Sequence, residues 1–173
     1  LNVLPPGVER HVVNAGGLTG LQIFPDDEIE IINEEGNQIC EIICFDKDGK
    51  SELGILNQKE NCKKSFIKEL LKGKDESSLI TNLQLKKRNL DINKSKSSIL
   101  FDEQTPSGEK IKIKSKDKCY AIFAAPQNNM LVSEQNPSSD LTLFIKRYKI
   151  VNDKELSIIP DPIYEPNYEE NIE

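Results

Sequence analysis

One histidine, His11, and four cysteines, Cys40, Cys44, Cys62 and Cys119, are this chain's whole stock of imidazole and thiol chemistry. A zinc site draws three or four nitrogen, sulfur or carboxylate ligands to one point. On an extended strand Cys40 and Cys44 face the same way but sit roughly 13 Å apart, at about 3.3 Å per residue, so one ion cannot take both without a sharp bend. The expectation is therefore no metal, with the thiols serving as small buried hydrophobes. Cysteine nucleophilic catalysis needs a base beside the thiol, and His11 is the one imidazole that could serve. Its simpler reading is a surface histidine on an early strand. Gly16, Gly17 and Gly20 resemble a phosphate loop only loosely, because the following segment looks extended and not helical. They read as turn residues.

Glu41 is the carboxylate to single out. It shares a strand face with Ile39 and Ile43, and a charge carried there is paired, held at the sheet end in water, or part of a ligand pocket. Arg147 follows Leu143 and Ile145 on one face of a late strand, where it could pair with Glu41 or bind an anion. The lysines between 110 and 118 read as a solvated face.

The elements that must position these groups follow from periodicity. Residues 8–14 and 21–24 read as strands interrupted by Ala15-Gly16-Gly17. Residues 28–33 alternate, with Ile29 and Ile31 opposite Glu28 and Glu30. The turn at 34–37 is expected to be a hairpin, returning through a strand at 38–45 that is apolar on both faces. Helical spacing appears at 59–71, through Cys62, Phe66, Ile67, Leu70 and Leu71. A second helix is expected from an N-cap at Ser77 or Ser78 to Asn89, burying Leu79, Ile80, Leu83 and Leu85. Short extended segments follow at 99–101, at 110–114 with lysines outward as at a sheet edge, at 119–125 and at 141–148. The sum is a mainly β fold, an antiparallel β-sandwich or barrel with a two-helix insertion at about 59–89.

At 173 residues and 36% hydrophobic content, the chain is sized for one domain with a real core. Residues 1–157 are expected to form it. Residues 158–173, acidic and carrying Pro160, Pro162 and Pro166, read as a tail or linker. A formal charge of -6, from 29 acidic against 23 basic side chains, argues against sequence-independent binding to nucleic acid or to an anionic membrane. No apolar run approaches the roughly 20 residues of a membrane-spanning helix, and the N-terminus lacks signal-peptide order. With few, scattered cysteines and no disulfide framework, the expected location is cytoplasmic.

Several segments resemble a known arrangement. Leu4-Pro5-Pro6-Gly7-Val8-Glu9-Arg10-His11-Val12-Val13, Ala15-Gly16-Gly17, Asp26-Asp27-Glu28-Ile29-Glu30-Ile31-Ile32 and Cys40-Glu41 are similar to the N-terminal region of large aminomethyltransferases. There, domains similar to the urea carboxylase-associated family precede a module like the glycine cleavage T-protein. Ala124-Ala125-Pro126, Leu143-Phe144-Ile145-Lys146-Arg147 and the proline-rich tail fit the same proteins. The resemblance implies a parent that moves a one-carbon unit from a methylated or aminomethyl amine to tetrahydrofolate. This chain would be a non-catalytic accessory domain, partnered by C-terminal domains of the same polypeptide and holding no cofactor itself. The alternative it implies is a small-molecule enzyme or ligand-binding barrel of the guanidine- and urea-degrading type, resembled at Glu35-Gly36-Asn37-Gln38 and Ala125-Pro126-Gln127. Those enzymes carry a Cys and His together in mid-chain, which this sequence lacks. Glu41, Arg147, Gln127 and His11 are the candidate contacts for a small amine or amino-acid ligand, and no residue is assigned a catalytic role.

Overall fold

The computed structural model describes residues 4–127 and 138–149. The expected tail at 158–173 lies outside the described residues, as does most of the 127–140 loop.

Eight strands form, β1 (Val8–Val13), β2 (Leu18–Ile23), β3 (Glu28–Asn33), β4 (Cys40–Asp46), β5 (Ser97–Phe101), β6 (Glu109–Lys114), β7 (Cys119–Ala124) and β8 (Leu141–Lys146). They build two antiparallel sheets, in the orders β1-β8-β3-β6 and β2-β7-β4-β5, which is the strand order of an eight-stranded jelly roll. The protein is therefore a β-sandwich, as the alternation of its strands predicts.

The turn at 34–37 is not a hairpin. β3 and β4 lie in different sheets, and every consecutive pair except β4 and β5 crosses between them. Gly36 and Asn37 both take positive φ, and Asn37 N bonds to Thr105 O at 2.8 Å, so this corner is pinned to a neighbouring loop. Glycine and asparagine serve a hairpin and a sheet-changing corner equally well, so the local residues do not distinguish the two.

Alternation puts Ile29 and Ile31 inward from β3 and Leu141, Leu143 and Ile145 inward from β8. They meet Ile23, Ile42 and Phe123 of the other sheet in a core without solvent exposure. Each such side chain contributes on the order of 1.5–3 kcal/mol. That packing leaves the space between the sheets apolar. On β6, the edge of the first sheet, Lys110, Lys112 and Lys114 face solvent while Ile113 turns in.

The outer face of the second sheet carries another apolar layer, where Ile43, Phe45 and Ile122 meet Ile67, Leu71 and Leu85 of the excursion between β4 and β5. Two α-helices lie in that excursion, α1 (Phe66–Leu70) and α2 (Glu76–Arg88). The helix expected over 59–71 shrinks to α1 because the preceding residues run along β5. Asn61 Oδ1 accepts from Ile99 N at 2.7 Å, Asn61 Nδ2 donates to Ile99 O at 3.1 Å, and Cys62 bridges to Ser97.

The expected stripe of α2 is also corrected. Ser78, Thr81 and Leu85 face inward, while Leu79 and Leu83 are 52% and 48% exposed. Leu85 alone of the expected stripe reaches the buried apolar layer, and hydrogen bonds to β2 and to the end of α1 complete the docking of the helix. Ser77 Oγ accepts from Leu18 N, Ser78 Oγ donates to Leu70 O, and Asn82 Nδ2 donates to Leu71 O. The N-cap is Asp75, whose carboxylate accepts from the Ser77 and Ser78 hydroxyls at 2.7 and 2.6 Å.

Candidate functional site

Glu41 stands in β4 on the face that meets the helices, with no solvent exposure. Its Oε1 accepts from Phe66 N at 2.7 Å and Ile67 N at 3.1 Å, the first amides of α1. Its Oε2 accepts from the Ser65 and Ser97 hydroxyls, each at 2.6 Å. Ser65 in turn accepts from Lys68 N as the N-cap of α1. The carboxylate thus ties a short helix to two strands and has its lone pairs taken up by protein donors.

Arg147 does not reach Glu41. Its Nη1 donates to Asp27 Oδ2 at 2.7 Å and to Gln22 O at 2.9 Å. Its Nε and Nη2 donate to the two oxygens of Glu9, at 2.9 and 3.0 Å, the bidentate fork that suits a guanidinium. Asp27 is 1% exposed and also accepts from Phe24 N and Tyr148 N. His11 joins the same cluster through Nε2 and Glu9 Oε1, 2.9 Å apart. Burial pushes the Glu9 carboxyl up, but hydrogen bonds from His11 and Arg147 outweigh it and hold it down at about 2. The cluster clamps the end of β8 to β1 and to the turn before β3.

Gln127 lies elsewhere, at the mouth of a cleft of about 720 Å³ beside the first turns of α2. The cleft is walled by the β1–β2 turn, by β2 and by α2. Its polar lining comes from Asn14, Thr19, Ser77, Thr81, Gln84 and Gln127, with Asp75 and Glu76 at the helix start. The turn is tightly made: Gly16 has φ +75°, and its N–H donates to Ala125 O at 2.7 Å. Gln127 lies across Gly16, with Nε2 3.5 Å from the point a Cβ would occupy. The neighbouring glycine in β2 has a different reason. A Cβ on Gly20 would overlap the Tyr120 hydroxyl, which donates to Gln84 Oε1 under the cleft floor. Burial pushes the Tyr120 phenol well above its ordinary range, so it stays a neutral donor.

The four sequence-derived candidates therefore do not converge. Arg147 and His11 share one cluster, Glu41 anchors α1, and Gln127 lines the cleft. Asn14, Thr19 and Thr81 escape sequence reasoning because small polar residues scattered over three segments show no spacing. The glycines at 16, 17 and 20 are the one local hint, and all three line the cleft.

The thiols hold no reactive arrangement. Burial pushes the Cys40 thiol far up, and a hydrogen bond with Cys119 together with burial does the same for Cys44. Cys62, partly exposed, donates to Lys64 O and is raised by burial and by the charge of Glu41. Among the described residues, no three His, Cys, Asp or Glu side chains are grouped to hold a metal ion, and no helix is long and apolar enough to cross a membrane.

No family model matches the chain. A curated protein of Ruegeria pomeroyi, named trimethylamine-oxide aldolase, is 32% identical over 163 residues, which is 94% of this chain. The chain spans 20% of that relative's length. A solved DUF1989 family protein from Silicibacter pomeroyi superposes with a TM-score of 0.46 at 11% identity, over 83% of this chain and 80% of its own, too remote a likeness to carry an argument. The expectation of an aminomethyltransferase parent is corrected here, because the relative that matches across the chain is named an aldolase. Tetrahydrofolate as the parent's cofactor is withdrawn with it, and so is the guanidine- and urea-degrading alternative.

Proposed function

We propose that this chain works within a polypeptide of the trimethylamine-oxide aldolase type, supplying a sandwich whose outer cleft takes a small polar amine or amine oxide. The observation that carries this reading is 32% identity sustained over 163 residues. The cleft's chemistry agrees with it. Asn14 and Gln127 offer amide N–H groups, which suit the strongly accepting oxygen of an amine oxide. Asp75 and Glu76 at the mouth favour a cationic amine over an anion. In this reading bond cleavage falls to the remaining domains of the polypeptide, which are the chain's partners. Glu41, Arg147 and His11 are each engaged in ties between elements. Four free thiols agree with a cytoplasmic place.

A chimera tests the reading. This chain replaces the aligned stretch of the Ruegeria pomeroyi protein, and consumption of trimethylamine oxide with release of an aldehyde is followed. Recovery of most of the parent's rate is expected. A soluble, folded chimera without turnover would overturn the proposal.

A further inference from the structure

A second, smaller cleft of about 320 Å³ opens at the other end of α2, between the helix terminus, the turn at 46–50 and the start of β7. Arg88, the last residue of α2, lies half-buried in its wall with the guanidinium 4.3 Å above the Tyr120 ring. A guanidinium held out of water is ordinarily met by a carboxylate or by several good acceptors. Arg88 has neither. Among the described residues its Nη2 reaches Gln22 Oε1 at 3.4 Å, and its Nη1 is enclosed and meets no acceptor. Burial bears on its charge in the direction this predicts, pulling its pKa down.

Lys118 lines the same cleft, and no ion pair with it forms among the described residues. The turn at 46–50 adds two acids, Asp46 and Asp48, with Lys47 between them. Asp46 Oδ1 accepts from the amides of Asp48 and Lys50, each at 2.9 Å, while Asp48 is exposed. Arg88 over the Tyr120 ring, Lys118 over the Phe24 ring and the exposed carboxylate of Asp48 give the cleft groups of both signs, with cations in excess once Lys47 is counted. The volume is at the small end of the range for ligand pockets.

We propose that this cleft is a binding site for a small zwitterion of the amino-acid type, its carboxylate on Arg88 Nη2 and Lys118 and its ammonium toward Asp48. A carboxylate supplies the strong acceptor that Nη2 lacks at 3.4 Å from Gln22, while Nη1 stays enclosed behind it. The Tyr120 ring beneath holds the fork in place, so little side-chain freedom is lost on binding. The site is separate from the amine cleft and does not depend on the function proposed above.

Backbone amide NMR of the 173-residue chain tests it, titrating glycine at constant ionic strength with acetate and methylamine as half-molecule controls. Saturable shifts at Gly49, Arg88 and Cys119 are expected with glycine, at a Kd at least tenfold below that of either control. Arg88→Gln should raise the glycine Kd at least tenfold with the remaining spectrum unchanged. Lys118→Gln, at an exposed side chain, repeats the test without touching the helix end and should weaken binding severalfold. The proposal falls if glycine gives only linear shifts. It also falls if acetate binds as tightly as glycine, or if Lys118→Gln and a folded Arg88→Gln both bind glycine as the parent chain does.

Discussion

Replacing Glu41 puts the reading of that residue as an anchor at risk, and its cost can be worked from its four bonds. Glu41→Ala leaves Phe66 N, part-buried, and Ile67 N, buried, without acceptors at the start of α1. Each unmet buried donor costs about 1–3 kcal/mol, and the lost methylenes add about 1 kcal/mol or more. The Ser65 and Ser97 hydroxyls can turn to other acceptors, including each other across 3.3 Å, so they add little. The sum is about 3–7 kcal/mol, a large share of the roughly 5–15 kcal/mol that holds a domain folded. Glu41→Gln keeps Oε1 for the two amides but sets an N–H₂ against two hydroxyls. It gives up charge-assisted bonding while relieving a buried charge, for a net of about 1–3 kcal/mol. Urea denaturation reads both. With a slope of about 1–3 kcal/mol per molar, the Gln variant's midpoint should fall by about 1 M and the Ala variant's further, at unchanged slope. If both variants unfolded within about 0.5 kcal/mol of the parent chain, a scale on which surface substitutions fall, the anchoring role would be refuted.

The Glu9 carboxyl, depressed to about 2 from an ordinary value of 4.5, protonates in the unfolded chain first as pH falls. Its contribution is therefore complete above about pH 4.5 and lost between there and about 2, amounting to about 1–2 kcal/mol after allowance for solvent screening. Glu9→Gln should flatten stability against pH in that window, and an unchanged acid limb would contradict the clamp. Gly20→Ala drives a methyl into the Tyr120 hydroxyl and should cost about 1–3 kcal/mol. Tyr120→Phe in the same chain should return part of that, and purely additive losses would count against the close approach. Thiol titration with an aromatic disulfide should find only Cys62 in the native protein and all four cysteines in denaturant. Rapid native reaction at Cys40 or Cys44 would contradict their burial.

What sequence reveals and what it hides divides along physical lines. Alternation along β3 and β6 is dictated by one buried face, so both strands and the lysine-bearing edge are legible from residue type. The end of α2 is legible too, at Asn89, but its start is not: the cap is Asp75, ahead of the expected Ser77 or Ser78, and its side chain makes no capping hydrogen bond that would mark it. The orientation of the helix is hidden, since leucines face inward only where the surface below is apolar. Here Leu85 meets that apolar layer, while Arg88 and Ser77 at the two ends of the helix meet Tyr120, Gln22 and the Leu18 amide. The crossing at Gly36 and the pairing of Arg147 with Glu9 and Asp27 are hidden for a related reason. They join residues far apart in the chain, which no local spacing encodes. The cleft around Asn14, Thr81 and Gln127 is the extreme case, assembled from three segments.

Binding of trimethylamine oxide to the cleft is the most direct test of the proposed function. A rise in melting temperature does not decide it, because this compound stabilises folded proteins generally through exclusion from their surfaces. Titration calorimetry at millimolar ligand, with sucrose as the excluded-solute control, separates the two effects. Saturable binding at one site, lost when Asn14 and Gln127 are both changed to Ala, is the predicted result. Heats that match sucrose and stay the same in the double variant would contradict the account.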